Sequence, residues 1–285
     1  MISEAYFQKE LDQIIQNAIR EDVGVADYSA LACVPDDAEG RAKLLVKEEG
    51  IIAGVEFAKQ IFAYVDPKLE VEVFIQDGDY VRYGDVVFHV FGKSQSILKA
   101  ERTVLNAMQR MSAVATKTNY LKKIIQHTNT QLLDTRKTTP GIRAIEKWAV
   151  KIGGGQNHRF GLFDMIMLKD NHIDYTGGVE QAILKTHNFL KDNNLDLKII
   201  VEARNIDEVK QILNVGGVYR ILLDNFTIEQ TKEAVELIGG RVLTESSGNI
   251  NEKTILDYAN TGVNFVSMGA LTHSVYNMDL SLKAF

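Results

Sequence analysis

Apolar residues at Phe7, Leu11, Ile14, Ile15, Ala18 and Ile19 recur at three- and four-residue spacing, which predicts an amphipathic helix from Glu4 to about Arg20. Beyond it the pattern is mixed. "AKLLV" reads as a strand and "VEFAKQIFAYV" as a helix, while "LEVEVFI" and "DVVFHVF" alternate apolar and polar positions as half-buried strands do. Between those two strands lies "QDGDYVRYGD". Its repeated Gly-Asp pairs, Gly78-Asp79 and Gly84-Asp85, read as the turns of a small β-sandwich half. A long helix is predicted from Ser94 to about His127, with Leu98, Leu105, Met108, Ala115, Leu121 and Ile125 on its buried side.

After residue 130 the style changes. Short apolar runs occur at "QLL", "MIML", "KIIV", "RILL", "RVL" and "NFVSM", the last four beginning near residues 198, 220, 241 and 264 and so recurring every 21 to 23 residues. Helical stretches such as "NIDEVKQIL" and "IEQTKEAVELI" fill the gaps, which implies right-handed βαβ units and a parallel sheet. The runs end in "LLDTRK", "MLKDNH", "IVEARN", "LLDNF", "TESSGN" and "SMGALTH", each stopping at charged, hydroxyl or glycine residues. In a β/α barrel all such ends point to one catalytic face, so a barrel is expected. A doubly wound sheet is the competing topology, but no GxGxxG follows a strand and no GxxxxGK[ST] occurs.

Composition narrows the functional classes. The 285 residues carry a formal net charge of −6, which gives no support for nucleic-acid binding by bulk electrostatics. Cys33 is the single cysteine, so a disulfide framework and a multi-cysteine metal site are excluded; among Ala30, Leu31 and Ala32 it reads as a small core residue. The start of the chain lacks a basic segment followed by an apolar core, and no long apolar run suggests a membrane span. A cytoplasmic setting with no membrane partner is the expectation.

The strand ends collect Arg136, Lys137, His158, Arg159 and Lys169 as cations and Glu202 and Asp224 as anions. Singly, each has an ordinary structural reading: a solvated surface pair, a helix cap, a structural histidine. Recurrence at one topological position favours a site. So many cations in one cleft repel one another unless a polyanion occupies it. Arginine's planar fork suits carboxylate or phosphate, and the two acids suit sugar hydroxyls or a metal ion. A small, highly anionic substrate set follows, including a phosphorylated sugar with Mg²⁺. Zinc is disfavoured because His158 and His172 are 14 apart and no HExxH occurs. "ESSGN" lacks a nucleophile elbow, so Ser246 and Ser247 read as phosphate-binding hydroxyls. In "GGGQNHRFG" (153–161) the glycines read as a permissive turn after a helix "PGIRAIEKWAVKI", with Thr139 as N-cap and Pro140 at the first position, delivering His158 and Arg159 to the rim.

The block "DTRKTTPGIRAIEKWAVKIGGGQNHRFGLFDMIMLKDNHI" (134–173) closely resembles the signature of the quinolinate phosphoribosyltransferases. The resemblance extends through "ERTVLN", "LLDNF", "ESSGNI" and "GALTHS", across essentially the whole chain. It implies an N-terminal α/β sandwich over 1–110, with a tail at 272–285 packing with it, and an incomplete parallel α/β barrel over 111–271. It also implies a homodimer or higher assembly with shared sites, and a reaction in which quinolinate and phosphoribosyl pyrophosphate give nicotinate mononucleotide, pyrophosphate and CO₂ with Mg²⁺. By resemblance Arg136, Arg159 and Lys169, with His158 beside them and Arg102 of a neighbouring copy, clamp the dicarboxylate. Thr135 belongs to the same substrate-binding set, and Lys137 faces the phosphoribosyl pyrophosphate. Glu202 and Asp224 hold ribose hydroxyls or Mg²⁺, while Ser247, Gly248, Asn249, Met268, Gly269 and Ala270 receive the 5′-phosphate. Two departures stand out: Ala26-Asp27-Tyr28-Ser29 in place of a usual Gly-Asp-x-Thr, and Met268 where a smaller aliphatic is commoner. Two alternatives are a molybdenum-transport-associated paralogue of the same fold, disfavoured by the intact clamps, and a non-catalytic phosphosugar-binding module, which has no need of the acid pair.

Overall fold

A computed structural model describes residues 2–285. The chain opens with helices α1 (Glu4–Val23) and α2 (Tyr28–Cys33), then strands β1 (Glu39–Val46) and β2 (Gly50–Ile51) and helix α3 (Val55–Val65). Strands β3 (Glu70–Val73), β4 (Tyr80–Val81) and β5 (Val86–Lys93) lead into the long helix α4 (Ser94–Ile124). There follow β6 (Gln131–Leu133), α5 (Arg143–Ile152), β7 (Ile166–Leu168), α6 (Asp170–Thr176) and α7 (Val179–Asp192). A regular alternation completes the chain: β8 (Ile199–Ala203), α8 (Ile206–Val215), β9 (Arg220–Asp224), α9 (Ile228–Ile238), β10 (Leu243–Ser247), α10 (Ile255–Ala259), β11 (Phe265–Ser267), α11 (Ala270–His273) and β12 (Leu280–Ala284).

These elements form two compact units. One comprises Ser3–Asn119, Thr138–Gly154 and Leu271–Phe285, and the other Tyr120–Lys137 and Gly155–Ala270. The first is built on an antiparallel sheet of order β12-β1-β5-β3, in which the C-terminal strand pairs with β1 from Ala42↔Ala284 to Val46↔Leu280. The segment 138–154, inside the range expected for the barrel, groups with this first unit. The two Gly-Asp pairs are turns: Gly78 and Gly84 have φ of 98° and 91°, and Asp79 and Asp85 accept the N–H of Gln76 and Arg82.

The second unit is a parallel sheet of order β6-β11-β10-β9-β8-β7. The strands follow one another around the sheet and β6 pairs with β11, whereas β6 and β7 do not pair, so the cylinder is open at that seam. Burial explains the strand composition: all five residues of β8 and four of the five of β9 are buried, as strands covered on both faces require.

Four local expectations are corrected. Helix α5 begins at Arg143, not Pro140, because Gly141 takes a φ of 83° and Glu146 captures both the N–H and the hydroxyl of Thr139 at 2.9 Å, making a turn of the segment before it. Leu98 is exposed on α4, since that face of the helix is not covered, and α4 ends at Ile124. Cys33 is exposed, because the short helix α2 buries only Ala30. Ser246 is buried on the side of β10 opposite Glu245 and Ser247, so its hydroxyl does not reach the cavity they line.

Candidate active site

Side chains in a strand alternate between the two faces of its sheet. Met167 and Lys169 from β7 and its end, Glu202 from β8, Leu222 and Asp224 from β9, Glu245 and Ser247 from β10 and Ser267 from β11 obey that parity and all face one cavity of about 520 Å³. Thr135, Arg136 and Lys137 after β6, the loop residues His158 and Arg159, and Asn225, Gly248 and Asn249 complete its lining. The cavity therefore lies at the C-terminal ends of the parallel strands, where eight-fold barrels and open α/β sheets alike place ligands.

Each side chain is held from behind. The buried carboxylate of Asp134 accepts the backbone N–H of His158 at 2.8 Å, which fixes the loop against the end of β6. Asp164 accepts the N–H groups of Phe160 and Gly161, both at 2.9 Å, and closes the turn after Arg159. The Arg159 guanidinium donates to the Met165 carbonyl at 3.1 Å. Lys169 donates to Glu202 at 2.8 Å. Its backbone N–H is taken by His172 Nδ1, which caps α6 and steadies the lysine. The ends of β9 and β10 lock together: Asn225 donates its backbone N–H to the Ser247 carbonyl and its amide to Asp224, both at 2.9 Å. Asn225 and Asn249 adopt φ of 56° and 52°, and Gly248 has φ of 97° with its α-carbon against the Asn225 side chain. Any larger residue at 248 would collide there, so glycine is what lets the two loops meet.

The charges perturb one another. Burial pushes the Glu202 carboxyl above the ordinary range; Lys169 opposes this, and the nearby Asp224 charge adds to it. Burial lowers the Arg159 guanidinium, and repulsion from Arg136 lowers it further. Glu245 behaves in the opposite sense to Glu202: burial would raise it, but a hydrogen bond to His158 and the guanidinium of Arg220 outweigh that and hold it at about 2. Among the described residues no group of three or more His, Cys, Asp or Glu side chains is placed to hold a metal ion, so Glu202 and Asp224 can supply at most part of a coordination shell.

The residues expected from the sequence are thus mostly brought together. Thr135, Arg136, Lys137, His158, Arg159, Lys169, Glu202, Asp224, Ser247, Gly248 and Asn249 all line the cavity. Met268 does not: it is buried and its N–H is committed to the Leu133 carbonyl. Gly269 and Ala270 follow it at the start of α11, half-buried and outside the lining. Arg102 is exposed on α4 in the other unit. Sequence reasoning passed over Asp134, Asn225, Glu245 and Arg220 as site residues. A charged residue at an inward-facing position of an apolar strand was the available signal for Arg220 and Glu245, since two such strands of opposite sign invite pairing.

Comparison with known proteins gives a consistent picture. Residues 27–112 and 114–283 match the family models described as the N-terminal and C-terminal domains of quinolinate phosphoribosyl transferase. A Nicotiana glauca protein named quinolinate phosphoribosyltransferase [decarboxylating] 2, mitochondrial, is 45% identical over 289 aligned positions, covering 96% of this chain and 82% of its own length. A probable nicotinate-nucleotide pyrophosphorylase of Bacillus subtilis is 34% identical, covering 96% of this chain and 93% of its own. Among solved structures, NadC from Streptococcus pyogenes superimposes with a TM-score of 0.91 at 36% identity, covering 99% of this chain and 98% of that one.

Proposed function

The chain belongs to the quinolinate phosphoribosyltransferase family, and from that premise we propose that its cavity joins quinolinate to the phosphoribosyl group of phosphoribosyl pyrophosphate, releasing pyrophosphate and CO₂ and leaving nicotinate mononucleotide. The observation that carries this reading is the convergence of Arg136, Lys137, Arg159 and Lys169 with the acid pair Glu202 and Asp224 around one cavity. Arg136, Arg159 and Lys169, beside His158, bind the two carboxylates of quinolinate. Lys137, exposed at the edge, faces the pyrophosphate. Ser247, Gly248 and Asn249 receive the 5′-phosphate, where the positive φ of Gly248 and Asn249 turns the backbone sharply.

With the carboxylates fixed, the ring nitrogen attacks the anomeric carbon and pyrophosphate departs with the bonding electrons. Positive charge develops at that carbon and Glu202 and Asp224 stabilise it, a preorganised electrostatic contribution. The pyridinium formed then accepts the electron pair of the breaking carbon–carboxylate bond, CO₂ leaves and a proton takes its place. Two carboxylates at adjacent strand ends fit Mg²⁺, which takes few protein ligands and completes its shell with water and phosphate oxygens. When bound it neutralises pyrophosphate charge; Glu202 and Asp224 are the residues that would hold it.

Arg102 of a neighbouring copy completes the clamp in a homodimer or larger homo-oligomer, a reading supported by its exposure on α4. Among the described residues no helix is long and apolar enough to cross a membrane, and an exposed Cys33 suits the reducing cytoplasm. The test is substrate choice. Nicotinate lacks the 2-carboxylate, so under identical conditions quinolinate is converted to the mononucleotide while nicotinate is not; comparable turnover of the two would end the dicarboxylate reading.

A further inference from the structure

Beneath the proposed clamp lies a charged group that none of the roles above uses. Glu245 is fully buried in the floor of the cavity, and its Oε2 accepts Arg220 Nη1 at 2.6 Å. Arg220 is itself buried, its guanidinium over the Phe265 ring at 4.1 Å and near Tyr219 at 5.5 Å. A structural ion pair would end there. This one does not, because the same Oε2 also faces His158 Nε2 at 3.4 Å. The other ring nitrogen, Nδ1, accepts the backbone N–H of Arg159 at 2.7 Å. A nitrogen that accepts an N–H carries no proton, so the ring proton resides on Nε2, the atom turned toward Glu245.

The residues form a line: Arg220 on β9 holds Glu245 on β10, Glu245 stands 3.4 Å from His158 Nε2, and His158 Nδ1 accepts the backbone N–H of Arg159. Asp134 grips the His158 backbone from β6. We propose that Glu245, held by Arg220, is a positioning residue that fixes the His158 tautomer and through it the placement of the Arg159 clamp. The inference rests on the reading of Arg159 as a quinolinate-binding group. A carboxylate is suited to the task because it only accepts; it cannot turn a donor toward Nε2. Its low titration range keeps that acceptor ionised at any working pH.

Two variants separate positioning from simple structural support. In Arg220→Met/Glu245→Leu the pair is replaced by apolar side chains of similar size, a change that buried ion pairs commonly tolerate without loss of fold. In Glu245→Gln the neutral carbonyl keeps an acceptor in place. Histidine-selective ¹⁵N NMR, with His158→Gln assigning one of the six histidines, reads the tautomer without substrate. Wild type is expected to show a protonated Nε2 and a bare Nδ1 at His158, and the double variant to lose that single-tautomer signature. The quinolinate KM of the double variant should rise about tenfold or more, with the phosphoribosyl pyrophosphate KM within about twofold, because misplacement of a clamp acts on its own ligand. Glu245→Gln should stay within about threefold of wild type for quinolinate, since it retains the acceptor. A wild-type His158 protonated on Nδ1, a folded double variant with unchanged quinolinate KM, or equal increases in both KM values would each overturn the proposal. Failure of the wild type to use quinolinate at all would instead strike the parent reading, and the His158 spectrum would still decide the positioning role.

Discussion

Arg159→Ala isolates the clamp from the chemistry. Arg159 is only 6% exposed, its guanidinium is tethered to the Met165 carbonyl, and its turn is closed by Asp164. In the proposed role, Arg159 offers quinolinate a guanidinium that is already placed and partly stripped of water, the circumstance in which a charge-assisted contact is strongest. Losing such a contact costs about 1.5–3 kcal/mol, which at about 1.4 kcal/mol per decade is roughly a ten- to hundredfold rise in KM for quinolinate. One term pulls toward the lower end: Arg136 repels Arg159, so removing one guanidinium relieves the other and lets Arg136 bind more tightly. The loss on the phosphoribosyl side should be less than about twofold, since Lys137 and the Ser247–Asn249 turn are untouched. Initial rates of mononucleotide formation, with each substrate varied in turn at saturating partner, give the two KM values. An unchanged quinolinate KM, or equal rises for both substrates, would refute the assignment of Arg159 to the dicarboxylate.

Three further outcomes follow from the same geometry. Glu202→Gln and Asp224→Asn should each lower kcat by about a hundredfold, whatever they add to the phosphoribosyl pyrophosphate KM through Mg²⁺, because the charge they stabilise exists only in the transition state; steady-state kinetics decide, and a KM effect with unchanged kcat would refute that role. Gly153→Ala should lower stability by about 1–3 kcal/mol in urea denaturation, since overpacking against fixed backbone is not easily relieved: the added methyl meets the Ala115 carbonyl oxygen and lies 2.7 Å from Thr118 Cβ. An Arg102→Ala protein and a Lys137→Ala protein, each nearly inactive, should recover about a quarter of wild-type activity when unfolded and refolded together, because mixed dimers rebuild one sound site in each; no recovery in mixed dimers confirmed by mass would place Arg102 in its own chain's site.

Much of this architecture was legible in the chain because strand ends in an α/β sheet are marked by abrupt changes from apolar to polar. The runs ending at Glu202, Asp224 and Ser247 announced both the sheet and the face that carries chemistry, and the parity of strand side chains brought those residues to one cavity. What stayed hidden depends on contacts between distant segments. Thr139 looks like a helix cap by spacing, yet Glu146, seven residues on, draws it into a turn. Ser246 and Ser247 are chemically alike and adjacent, so only the register of β10 tells which one faces the cavity. Cys33 among small apolar neighbours resembles a core residue, but a six-residue helix has room to bury little. The pairing of Arg220 with Glu245 spans 25 residues and two strands: each charge stands out in its own apolar strand, but only the pairing of β9 with β10 makes them partners.

In the proposed reaction one cationic cavity with two carboxylates couples phosphoribosyl transfer to loss of the quinolinate 2-carboxylate. Incubation with phosphoribosyl pyrophosphate, Mg²⁺ and quinolinate labelled with ¹³C in that carboxylate tests it directly. Labelled CO₂, pyrophosphate and unlabelled nicotinate mononucleotide are expected in equal amounts; a mononucleotide that keeps the label, or CO₂ released without pyrophosphate, would refute the coupling.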